Sequence, residues 1–159
     1  VSDEPSFTVV DTIGNTLHFD RFAYERSVEA APIEYFDANW VHCRITLQAR
    51  IEPFNTNATF RQSVNAQLLT KEIAELSDTL KDVLSSPTGT EKTFEPMEPY
   101  IELHISRDEK SLGITARLDL APAVGPVIEF FYMCRSEEIE ATIAAIDRVK
   151  EAFPERPVS

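Results

Sequence analysis

The chain has little glycine, little cysteine and few basic residues. Only four glycines occur in 159 residues. Glycine-rich loops that cradle phosphate need more than that, and neither a Walker loop, a GxGxxG nor a GxSxG pattern is present. The two cysteines, Cys43 and Cys134, lie far apart in sequence, and neither has a second ligand at metal-binding spacing. They read as reduced, buried, small hydrophobic residues inside strands; a disulfide would require their strands to be neighbours. The three histidines, His18, His42 and His104, stand alone, without an HExxH or HxH context. No cofactor or metal site is therefore expected. No apolar run approaches the roughly 20 residues that span a bilayer. The start lacks a basic segment followed by an apolar block, so no signal peptide is expected; the first residue, Val1, is not methionine, and a lost leader stays open. Asn57-Ala58-Thr59 is a formal glycosylation sequon, a weak signal that matters only in a eukaryotic secretory route.

The shortage of bases leaves 27 acids against 15 Lys and Arg, a net charge of −12. Residues 1–40 carry −6 and residues 91–109 carry −4, while residues 41–90 balance. Such a chain is repelled by nucleic acid and by anionic membrane, and attracts a basic partner. Solubility alone is the plainer explanation.

What is present is strong periodicity. Val41, Cys43, Ile45, Leu47, Ala49 and Ile51 alternate with His42, Arg44, Thr46, Gln48 and Arg50, the pattern of a half-buried antiparallel strand. Asp37 and Asn39 sit just before it, where their side chains can bond backbone N–H groups and launch the strand from a turn. Trp40 falls on the polar face, as an interface residue or packed under a loop. Before this strand, residues 6–10 and 16–24 read as a hairpin around Gly14-Asn15, with Leu17, Phe19 and Phe22 inward. Residues 25–34 read as a loop, and residues 53–57 as a turn. Residues 59–66 alternate again.

Leu69, Ile73, Leu76, Leu80, Val83 and Leu84 form a helical stripe over 69–85, with Thr70 as the expected cap. Residues 91–99 are acidic and contain Pro96 and Pro99. Residues 100–106 and 112–120 alternate, and residues 127–135 are apolar almost throughout, as in a central strand covered on both faces. Ser136 is the expected cap of a last helix over 136–152, whose stripe is Ile139, Ile143, Ile146, Val149 and Phe153.

No repeat or long linker divides the chain, so residues 1–159 are expected to form one domain. The expected fold is α+β: a single antiparallel sheet of six to seven strands with both helices packed on it. Ile45, Leu47, Leu76, Ile101, Ile105, Leu118, Phe130 and Ile143 are the expected core. From chemistry alone the chain reads only as a soluble α+β domain without an obvious active site, with a small-molecule or regulatory binding module and a small enzyme both open. The last would require the fold to bring His42 and His104 together with Glu102 or Asp37. Glu98 and Glu102 could form a carboxylate pair, but charged residues on a strand face are mostly just solvated.

One resemblance narrows the choice. Ala23-Tyr24-Glu25, an acidic loop, and Asp37-Ala38-Asn39-Trp40 opening a long strand resemble the WapI-type immunity proteins of bacterial contact-dependent toxin systems. The similarity continues through the leucine-rich helix, Glu98-Pro99 before a strand, and a C-terminal helix running into Phe153-Pro154-Glu155-Arg156. It implies a non-enzymatic, cytoplasmic protein that binds and neutralises a cognate toxin domain, often a nuclease. The acidic balance agrees with a basic toxin, approached by a monomer or weak homodimer without nucleic acid or membrane contact. Residues placed at that interface are Asp37, Trp40, Glu95, Glu98 and Glu102.

Overall fold

The computed structural model describes residues 4–26, 38–51 and 58–157. Asp37, the 53–57 turn and Asn57 of the sequon lie outside the described residues.

Four strands come first: β1 (Phe7–Val10), β2 (Thr16–Tyr24), β3 (Trp40–Ile51) and β4 (Ala58–Leu69). A helix follows, α1 (Thr70–Ser85), then β5 (Glu91–Phe94), β6 (Ile101–Arg107), β7 (Ser111–Asp119) and β8 (Val127–Arg135), and finally α2 (Ser136–Ala152). The single sheet of six to seven strands is overturned. There are two four-stranded antiparallel sheets, each a meander in sequence order, β1-β2-β3-β4 and β5-β6-β7-β8. The reason lies at Leu69, where β4 passes directly into α1. A 16-residue helix advances about 24 Å. It carries the chain away from the β4 edge, so the next strand begins a new sheet. The two sheets meet where the Thr12 N–H donates to the Met133 carbonyl at 3.0 Å.

The β1–β2 turn is built by Asp11. Its carboxylate accepts the Ile13 and Asn15 N–H groups at 3.0 and 2.8 Å, and the Asn15 side-chain amide at 2.8 Å. Gly14 takes the left-handed conformation there, φ +88°, which a glycine adopts without steric cost. In β2, Leu17 and Phe19 are buried and so is Phe22, which breaks odd parity. A bulge between Asp20 and Ala23, with Arg21 at φ 56°, turns the strand over and restores Phe22 to the core.

Neither expected cap residue caps. Leu69 and Arg135 are the N-caps, and the third helical residue reaches back to each. Glu72 accepts the Leu69 N–H at 2.7 Å and Glu138 accepts that of Arg135 at 2.9 Å. Thr70 instead turns its hydroxyl to Asn39, and Ser136 turns its own to the Lys110 carbonyl.

One hydrophobic core joins both helices to the inner faces of both sheets. Ile45, Leu47, Leu76, Ile101, Ile105, Leu118 and Ile143 are buried in it, while Phe130 is only half-buried against it. Strand β8 is an edge strand and not the central strand its composition suggests, and Phe130 packs on the Tyr132 ring, 4.9 Å between centroids. Only the inward residues of β8, led by Tyr132 and Cys134, are buried; Val127 and Phe131 point outward, 44% and 53% exposed.

Candidate partner-binding surface

The outward face of the second sheet can be built row by row from its register. Glu102 lies opposite Arg117, and Arg117 opposite Glu129. The next row runs Thr93, His104, Thr115, Phe131, and the one after it Glu91, Ser106, Gly113, Met133. Asp119 faces Val127 at the far end. Both helices pack on the opposite face, through the inward residues of β6 and β7.

At the margin of this face a cavity of about 290 Å³ is lined by Glu95, Met97, Glu102, Arg117 and Asp119, with Pro96 and Pro99 in its wall. The loop that carries Glu95 and Met97 is held from inside. Glu72, 4% exposed, accepts the Met97 N–H at 2.7 Å with the carboxylate oxygen that its own N-cap bond leaves free.

The expected interface residues are therefore partly brought together. Glu95 and Glu102 line one cavity, and Glu98 sits on the same loop, half-buried. Trp40 does not share their face. It starts β3 in the first sheet, half-buried and opposite Leu69, and is linked to the loop through the Leu69–Glu72–Met97 bonds. Asp37 lies outside the described residues. Of the acids in residues 1–40, Asp11 is buried in its turn, and Asp20 is bound to Arg44 by two hydrogen bonds of 2.9 and 2.5 Å. Both serve the fold.

His42 and His104 do not converge: they stand on different sheets, and His104 is beside Glu91 at 3.7 Å. Cys43 and Cys134 are free and buried, also in different sheets. Burial pushes both thiols up to about 12, far from the range of a reactive thiolate. Among the described residues no helix is long and apolar enough to cross a membrane.

Three of the stretches that carry the resemblance, around Tyr24, Asn39 and Phe153–Arg156, meet at one point. Asn39 is fully buried, and its side chain donates to the Arg156 carbonyl at 3.1 Å and accepts the Arg156 N–H at 2.7 Å. The Tyr24 hydroxyl donates to the Pro154 carbonyl at 2.5 Å, and the Arg156 guanidinium lies 3.3 Å over the Tyr24 ring. Phe153 packs against Tyr24 and Phe22. Residues from β2, the start of β3 and the tail after α2 thus make one strap that ties the last helix down.

The model of the immunity protein WapI-like family matches residues 10–154. This chain belongs to that family. No curated protein and no solved structure matches it. For a WapI-like immunity protein the strap is structural: it fixes α2, which packs against β1, β7 and β8. Sequence reading missed the apolar outward residues of β8, because a run of Val127, Ile128, Phe130, Phe131, Tyr132 and Met133 looks the same whether covered on one face or two. The signal that was available is Gly113. A Cβ there would come within 3.0 Å of Phe131 Cε2 and 2.8 Å of Ser106 Oγ, so glycine makes the space over which the Phe131 ring lies.

Proposed function

We propose that this protein confers immunity by binding the toxin domain encoded beside it, without catalysis, through an acidic surface. The toxin domain is a basic one, of the kind nucleases present, and the encounter takes place in the cytoplasm with the immunity protein as a monomer or weak homodimer. Membership of an immunity family supports the general role. The observation that supports the surface is the gathering of Glu95, Glu102 and Asp119 around one concavity, with Glu98 on the same loop. Acids held there create a negative potential that steers a basic domain into contact and favours the correct orientation. Glu72 sets the loop position before the partner arrives, which lowers the ordering cost of binding.

Co-expression with the toxin domain tests the reading. Growth should be restored by this chain, and the purified proteins should form a stable complex. Continued killing together with no complex would refute it.

A further inference from the structure

We infer that the toxin domain docks on the outward face of the second sheet, with Phe131 as its apolar anchor and the acids around it as the rim; this deepens the immunity reading and rests on it. Strand β8 carries side chains suited to burial on both faces, yet the fold covers only one. Val127 and Phe131 are 44% and 53% exposed, and Met133 beside them is half-buried. Phe131 and Met133 are outward neighbours on β8, with Val127 beyond Glu129, and apolar side chains gathered on an otherwise polar face suit a surface that another molecule completes.

Two further features favour a protein partner of basic charge. On this face Glu129 stands between Val127 and Phe131, and Glu102, Asp119, Glu91 and Glu95 stand around them, against Arg117 and Arg135. An apolar centre with a charged rim is the anatomy of a specific protein interface. The centre also has room made for its ring. Thr115, Ser106 and Gly113 beside Phe131 are small, and the ring lies against Gly113. An aromatic ring there supplies a large contact area to an interface. The second sheet thus supplies both halves of the interface: Phe131 for affinity, the carboxylates for approach rate.

The test uses the full chain and the inactivated toxin domain encoded beside it. Phe131→Ala should weaken the complex by about tenfold or more, mostly through faster dissociation, since truncating a central anchor acts there. Thr115→Arg, on the same face, should weaken it too. Arg61→Ala on β4 of the other sheet should leave it unchanged. Amide exchange on the wild-type complex gives an answer independent of variant folding: slowed exchange in β7 and β8 is expected. If wild-type protein binds but the slowed amides lie elsewhere, or Phe131→Ala binds as wild type, the docking face is wrong and the immunity reading stands. If wild-type protein neither binds nor protects, both fall.

Discussion

Asn39 holds Arg156 by both sides of its backbone: the side-chain amide donates to the carbonyl at 3.1 Å and its oxygen accepts the N–H at 2.7 Å. The same oxygen accepts the Thr70 hydroxyl at 3.2 Å, so the strap also touches the first residue of α1. Asn39→Ala removes these three bonds at a buried position. A loss of about 1–3 kcal/mol is expected. Urea denaturation measures it. Asn39→Asp should cost as well, because it keeps the acceptor and deletes the donor. Either variant should free the tail for early proteolysis; a midpoint equal to wild type would show that the tail contributes nothing.

Glu72 joins α1 to the loop before β6, accepting the N–H of Leu69 and that of Met97 at 2.7 Å each. Glu72→Ala strands one donor at a helix start and one in the acidic loop. The expected destabilisation is again about 1–3 kcal/mol. Exchange of the Met97 amide should quicken more than the global change requires. Equal quickening throughout would mean that the loop is held by other contacts.

Acid should weaken the first sheet at Asp20. The Arg44 guanidinium bonded to it holds its carboxyl below the ordinary value against the upward push of burial, with His18 and Arg21 adding attraction. A depressed folded value means that the contribution is fully present above about pH 4 and is lost as pH falls through the folded value. Asp20→Asn should be less stable than wild type at neutral pH, and the difference should shrink below about pH 4. Parallel stability curves for the two proteins across that range would contradict this.

Charge reversal at Glu95, Glu98 and Glu102 to lysine should slow association with the basic toxin domain and leave the fold intact. Glu95 is exposed and the other two are half-exposed, so none sits within the core. Added salt should slow association of the wild-type protein too, because the Debye length is about 10 Å at 0.1 M and shortens further. Dissociation should change less. Stopped-flow binding at several ionic strengths separates the two rates, and an association rate indifferent to salt would exclude steering.

Local periodicity determined much of this protein. The helices Thr70–Ser85 and Ser136–Ala152, the hairpin around Gly14, and the inward faces of β3, β6 and β7 follow from spacing alone, because a side chain's direction repeats with the backbone's own period. Strand β5 escaped notice, since Glu91, Lys92 and Thr93 are exposed and only Phe94 reaches the core.

The number of sheets was not written locally. It was decided at Leu69, where strand turns directly into helix, and by which edges then found partners. The exposed face of β8 has the same origin. Its residues are apolar enough for two layers, and only the tertiary structure, by placing both helices on one side, left Phe131 facing outward. The Glu72 and Asn39 bonds span 25 and 117 residues. Contacts at such separation have no sequence signature, because they depend on where the packed elements bring the backbone and not on the order of neighbouring side chains.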